Sequence, residues 1–303
     1  MSITRRIYVS LPADPWLPKN LNDLKWGIVE EIEKLGYTPE IFTNPRGRPG
    51  LASAKAWNPR DADEIARRCV GAAVLGMPRW RFRDADGQPV LLPTEFNHYE
   101  GALVRTLGLP TLVLVQRDVL RRVVFDSSFG GYVGQFAPDA DVGWLHTDEF
   151  RVPFGYWRAL LDERRDVFLG YCSSSAPTAA AIKRYLNSVG ARVLDWQTDF
   201  IPGRTIIDQI EQAAARSIGG IFLFTKDDDL ADQNRAEKSV PRDNVVFEAG
   251  YFSGLKGKRN VLIVREAGSK MPADLGGDIY AALPDKADTA PIERTLAAFM
   301  SAI

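Results

Sequence analysis

The chain has 303 residues, with 45% hydrophobic and 25% charged side chains and a formal net charge of -1. That is globular composition with apolar surface for about two cores at ~150 residues per domain. It excludes an overall basic footprint for nucleic acid, and no run reaches the ~20 apolar residues of a membrane span. Two cysteines, Cys69 and Cys172, and an opening MSITRRIYVSLPADPW without an apolar leader imply a reduced, cytoplasmic protein with no disulfide framework. The two histidines, His98 and His146, lack neighbours at zinc-ligand spacing, so neither a structural metal nor a His-based triad is expected.

Residues 6–10 read as the first strand. After a Pro-rich loop, Leu24, Ile28, Ile32 and Leu35 recur at helical spacing over residues 21–35, and Gly36 supplies the C-cap. Residues 37–42 form a short strand, 44–58 a Pro/Gly-rich loop, 59–68 a helix and 70–75 a buried strand. A polar loop with Trp80, Arg81 and Arg83 precedes a helix over residues 94–107, with Phe96, Tyr99, Leu103 and Leu107 as its apolar positions. Residues 109–115 are the next strand, 117–150 show no assignable pattern, and 154–164 close the half as a helix.

The order then repeats. Strand 167–171, helix 178–189 with Gly190 behind it, strand 191–196, helix 205–216 and strand 218–224 follow in turn. A charged loop over 226–243 leads to a helix at 244–255, a strand at 260–264 and a last helix at 292–303. Local wording repeats as well: Tyr99-Glu100-Gly101-Ala102 ahead of strand 109–115 is echoed by Phe247-Glu248-Ala249-Gly250 ahead of strand 260–264. A duplicated α/β unit is the expectation, as two tandem flavodoxin-like domains at 1–162 and 163–303. Each is a parallel sheet flanked by helices, with ligands outside the C-terminal strand ends.

The most informative stretch is VPRDNVVFEAGYFSGL, residues 240–255. Its polar turn starts a helix that is apolar on nearly every side, which predicts burial. Glu248 sits in the middle of it, and a buried carboxylate is costly unless something uses it. Two bland readings stand beside that one: a favourable charge in the first turns of a helix, and an ion pair with an Arg.

The run Pro241-Arg242-Asp243-Asn244-Val245-Val246-Phe247-Glu248-Ala249-Gly250, with Asp166-Val167-Phe168-Leu169-Gly170-Tyr171 upstream, resembles bacterial TIR-like nucleotide-binding domains of anti-phage effectors. The resemblance covers about residue 166 to the C-terminus. It implies a TIR-like fold and NAD⁺ glycohydrolase activity, and it makes Glu248 the match for the family's catalytic glutamate. Residues 199–205 then correspond to the family's assembly loop. The first half resembles the same superfamily and a deoxyribosyltransferase-like domain more distantly. It keeps Glu100 but has Pro93-Thr94-Glu95-Phe96-Asn97-His98 in place of the Arg-Asp-Asn-Val entry, which implies sensing or assembly, with Glu100 and Tyr99 at a second ligand site.

The chemistry agrees with a single carboxylate. The nicotinamide of NAD⁺ is already cationic and leaves neutral, so no acid must protonate it; an O-glycosidase needs a second carboxyl for that step. Tyr171, Trp196 and Phe200 can stack on a base or pack the core, and Arg204, after Pro202-Gly203, stands where a helix N-terminus meets phosphate. Arg242 and Asp243 either position the substrate or cap the helix, and Ser173 begins a polar loop that contacts phosphate or merely turns. NAD⁺ is then substrate and no cofactor is required. The expected partners are a second copy of the chain and a nucleotide signal or defence protein, with neither membrane nor nucleic acid. The competing reading is a non-catalytic module that binds a nucleotide signal or assembles with other TIR domains.

Overall fold

The computed structural model describes residues 3–42, 44, 46–129, 131–229, 239–271 and 280–303. The chain divides into two compact units, Thr4–Glu163 and Arg164–Ile303. In the first, β1 (Arg6–Ser10), α1 (Lys19–Lys34), β2 (Thr38–Glu40), α2 (Pro59–Ala66) and β3 (Cys69–Gly76) come first. The hairpin of β4 (Trp80–Arg83) and β5 (Pro89–Leu92) follows, then α3 (Glu95–Thr106), β6 (Thr111–Gln116), β7 (Val133–Phe136) and α4 (Asp148–Asp162). The second unit runs β8 (Arg165–Gly170), α5 (Ala176–Ser188), β9 (Val193–Asp195), α6 (Trp196–Asp199), α7 (Ile206–Arg216) and β10 (Ser217–Phe224). It continues with β11 (Asp228–Asp229), β12 (Ser239–Val240), α8 (Asp243–Lys256), β13 (Val261–Glu266), β14 (Ala281–Leu283) and α9 (Glu293–Ala302). Of the charged loop expected over 226–243, residues 230–238 lie outside the described residues.

The main sheets have strand orders β2-β1-β3-β6-β7 and β9-β8-β10-β13-β14, and every pairing within them is parallel. Numbered within its own unit each order is 2-1-3-4-5, the flavodoxin-like arrangement, whose ligand crevice opens where the strand order reverses. The central strands β3 and β10 are buried along their whole length, as strands covered on both faces must be, and they are read from sequence as unbroken apolar runs.

Local chemistry sets the helix ends. Asn58 accepts from the Asp61 amide ahead of Pro59 in α2, and Thr94 and Thr205 cap α3 and α7 from their N-cap positions. Gly36 and Gly190 end α1 and α5 at positive φ, 84° and 87°, where a side chain would be strained. The second core stacks Phe168 on Phe252 at 5.2 Å, with Phe222 edge-on to Phe252, and so seats α8 against the sheet.

Several elements differ from the sequence reading. Strand β7 lies inside 117–150, and its short VGQF gives no period to read. Helix α4 begins at Asp148 and runs through Pro153, whereas a proline reads as a helix start because it removes an interior backbone donor. On α3 the buried residues are Asn97, Glu100, Gly101 and Val104, while Phe96 and Tyr99 are exposed. Helix α8 buries only Val245, Ala249 and Phe252; Phe247 and Leu255 face solvent, so its all-round apolarity does not mean all-round burial.

Candidate functional site

Glu248 sits in the second turn of α8, directly above the end of β8. A Cβ placed on Gly170 would lie 2.8 Å from Glu248 Oε2 and 2.5 Å from Phe222 Cδ1, so the missing side chain is what lets the carboxyl settle there. Oε2 is buried and has no hydrogen-bond partner. Burial alone pushes the carboxyl up from its ordinary value to about 7. An unpartnered, desolvated carboxyl is unstable unless the cavity in front of it receives something.

That cavity measures about 670 Å³. Tyr171, Cys172 and Ser173 line it from the end of β8, Trp196 and Phe200 from the segment after β9, Arg204 and Gln209 from the start of α7, and Arg242, Asn244 and Glu248 from α8. The expected site residues Tyr171, Ser173, Phe200, Arg204, Arg242 and Glu248 are thus brought together. Asp243 is not on the wall. It lies in the first turn of α8, exposed, while Arg242 holds the N-cap position without a side-chain cap, so neither residue caps the helix.

The Tyr171 ring is buried and its hydroxyl donates to Asp195 Oδ1 at 2.7 Å, with Lys183 paired to Asp195 Oδ2 at 2.9 Å. Burial and then the Asp195 carboxylate push that phenol upward, which keeps it neutral. Trp196 is half-buried, donates from Nε1 to the Tyr171 carbonyl and packs on the core, while Phe200 stacks on Phe168 at 6.0 Å. Ser173 is exposed, and Arg204 is an exposed cation at the rim with Nη1 on Gln212. Arg242 is likewise exposed and pairs with Asp228 at 3.3 Å.

One carboxylate ties two walls together. Asp227 Oδ1 accepts from Ser174 at 2.8 Å and from Thr225 at 2.9 Å, and Oδ2 accepts from the Arg242 backbone amide at 3.2 Å. The opposite wall, at residues 200–204, is held by the Ile201 amide on Gln209 Oε1 and turns through Gly203 at φ 89°. Gly170, Gln209 and Asp227 were missed from sequence. Only Gly170 carries a signal there, as a glycine closing an otherwise apolar strand.

In the first unit Glu100 is in the corresponding place on α3, 6% exposed and held by three donors. Oε1 accepts from the Tyr8 hydroxyl at 2.8 Å and from Trp57 Nε1 at 2.8 Å, and Oε2 accepts from Ser10 Oγ. Desolvation raises its pKa while these donors oppose the rise. Tyr99 lies outside this pocket, exposed, with its ring edge against Trp57 at 5.4 Å. Among the described residues no His, Cys, Asp and Glu cluster is arranged to hold a metal, and no helix is long and apolar enough to cross a membrane.

Residues 166–285 match the family described as CAP12/Pycsar effector protein, TIR domain. The chain is 30% identical over 106 residues to the uncharacterized protein YuaY of Escherichia coli (strain K12), covering 35% of this chain and 36% of that one. It is 28% identical over 116 residues to CD-NTase-associated protein 12 of Sphingobacterium faecium, covering 38% and 35%. With the Pycsar effector protein BcPycTIR of Burkholderia cepacia it shares 36% identity over 73 residues, covering 23% and 22%. The matched region spans about a third of the length of the first two relatives.

Proposed function

We propose, from the premise that residues 166–285 form a TIR-like domain of the bacterial anti-phage effector type, that the second unit cleaves NAD⁺ at its nicotinamide–ribose bond. The observation that carries this reading is Glu248 Oε2, buried, unpartnered and facing a cavity large enough for a dinucleotide's reacting half. In the reaction the C–N bond breaks with both electrons leaving on nicotinamide, which departs neutral. The ribose carbon left behind is oxocarbenium-like, and the Glu248 carboxylate stabilises that charge while accepting from the ribose hydroxyls. Water or a nucleophile of the same substrate then adds to the sugar, giving ADP-ribose or a cyclic product. Trp196 and Phe200 offer flat faces for a base, and Arg204 and Arg242 at the rim offer charge for the pyrophosphate.

The substrate also corrects the carboxyl's protonation. In the free enzyme Glu248 is only partly ionised near neutrality, and a cationic nicotinamide ring beside it draws the pKa back down. Glu248→Gln keeps the shape and removes the charge, so nicotinamide release, followed by chromatography, falls ~10²–10³-fold. Full activity in a folded Glu248→Gln protein overturns the reading, and absence of nicotinamide release from the wild type under every activating condition favours a binding module instead.

Assembly belongs to the same proposal. Ile201 and Ile206 on the cavity wall, Ile207 on α7 and Phe247 and Leu255 on α8 are exposed, and this apolar surface is what a partner would cover. A second copy packed there excludes water from a site that one copy leaves open. Specific activity is expected to rise with protein concentration, or when a nucleotide signal or partner defence protein drives association; a value constant from dilute to concentrated samples removes this part.

A further inference from the structure

A second cavity of about 580 Å³ opens at the C-terminal ends of β1, β2 and β3 in the first unit, within the size range of small-molecule sites, ~300–1,000 Å³. Its polar end is built rather than accidental. Asn97 Nδ2 donates to Ser10 Oγ at 2.8 Å, which turns the Ser10 proton toward Glu100 Oε2. With Tyr8 and Trp57 on Oε1, three of the ~four lone-pair directions of the Glu100 carboxylate are taken, and the one left is on Oε2.

The other walls are aromatic. Trp57 packs edge-on with Phe96 at 4.6 Å and Tyr99 at 5.4 Å, and its Nε1 bond to Glu100 fixes the ring where it lines the cavity beside Phe96. Trp16 comes from the loop after β1, which Lys25, fully buried in α1, pins by donating to the Pro12 carbonyl at 2.8 Å. At the mouth the Arg79 guanidinium lies 3.5 Å over Trp16 and 4.7 Å from Trp80. Among the described residues no carboxylate pairs with Arg79; the nearby Glu95 instead accepts from Trp80 Nε1. The cavity therefore presents an open acceptor at its floor, flat apolar faces along its side and an unneutralised cation at its mouth.

A ligand that satisfies all three carries hydroxyl donors, a planar ring and an anion. We propose that the first unit binds a nucleoside 5′-monophosphate in this cavity, with the base against Trp57 and Phe96, a sugar hydroxyl on Glu100 and the phosphate on Arg79. The site is separate from the Glu248 cavity and stands whether or not NAD⁺ is cleaved there. Stacking supplies sequence-tolerant affinity, and the guanidinium supplies the preference for phosphate.

The test is calorimetric titration of the full-length protein with AMP, CMP, GMP and UMP in turn, with the matching nucleosides and inorganic phosphate as controls. At least one monophosphate is expected to bind saturably, at least about tenfold more tightly than its nucleoside. Arg79→Ala, at the mouth and outside the core, reduces that monophosphate to the level of the nucleoside. Glu100→Gln weakens both by about tenfold or more. Trp196→Ala, in the other cavity, leaves binding unchanged. The proposal is overturned if no monophosphate binds at low millimolar concentration, if nucleoside and monophosphate bind equally, or if Trp196→Ala abolishes binding while Arg79→Ala does not. Because Arg79→Ala does not disturb the buried network, the result stands even if Glu100→Gln fails to fold.

Discussion

Two glutamates occupy corresponding places in two copies of one fold, and their surroundings are opposite. Sheet register makes the correspondence explicit. Tyr8 and Ser10 pair with Ala72 and Val74, and Ala72 pairs onward with Thr111. In the other sheet Phe168 and Gly170 pair with Gly220 and Phe222, and Gly220 pairs onward with Val261. Tyr8 therefore stands where Phe168 stands, and Ser10 where Gly170 stands. The two strand donors that hold Glu100 are replaced under Glu248 by a ring without a hydroxyl and by no side chain at all. One carboxylate takes three donors from its own protein, and the buried oxygen of the other takes none. The proposed reaction is placed at the second, because a group already held by three donors in the free protein has less left to give a transition state.

The pH dependence of the proposed reaction gives the largest test of this contrast. With Glu248 at about 7 and required as the carboxylate, kcat/KM should fall about tenfold per pH unit below that value, ~hundredfold by about pH 5. The kcat profile, which reports the complex, should break at lower pH because the bound cation favours ionisation. A kcat/KM profile flat from about pH 5 to about pH 8 means that Glu248 does not carry the reaction.

The same two residues should move stability in opposite directions. Between 4.5, where the unfolded side chain ionises, and about 7, native Glu248 keeps a proton the unfolded chain has released, so stability falls as pH rises. Above that window the cost is complete, on the order of 3 kcal/mol, and Glu248→Gln should recover it at about pH 8 but gain nothing at about pH 4. Glu100→Gln places an amide among three donors and should lose ~1–3 kcal/mol. Thermal melts of both variants at the two pH values decide it; equal signs at about pH 8 erase the contrast.

A smaller effect comes from rebuilding one unit toward the other. Gly170→Ala puts a Cβ against Phe222 and Glu248 Oε2, and should cost ~1–3 kcal/mol through overpacking. Nicotinamide release should drop by at least about tenfold as the carboxyl is displaced. A variant that melts and turns over like wild type shows that the close approach at Gly170 has no role.

Much of the architecture was legible in the residues. Strands such as 70–75 and 218–224 announce themselves as apolar runs, the helix stops at Gly36 and Gly190 follow from backbone sterics, and the doubled order of elements needs only periodicity. Glu248 stood out because a charge interrupts an apolar helix. What stayed hidden depends on tertiary neighbours. The inner face of α3 is Asn97, Glu100 and Val104, which no hydropathy pattern selects, since its polar members are buried by partners on β1 and in the loop before α2. The Ser10 and Gly170 difference is invisible until strand register aligns two positions far apart in the chain.

The carboxylate of Asp227 has a further consequence for traffic through the Glu248 cavity. By joining the loop after β8 to the entrance of α8 it makes one side of the cavity a fixed jamb. The side at residues 200–204 is anchored separately, to α7, by the Ile201 amide on Gln209 Oε1. Ile201 and Ile206 on that side are exposed, so a partner seated there would bear on this wall and not on the Asp227 side. Under the proposed assembly, the residence time of a bound molecule is then the quantity expected to change.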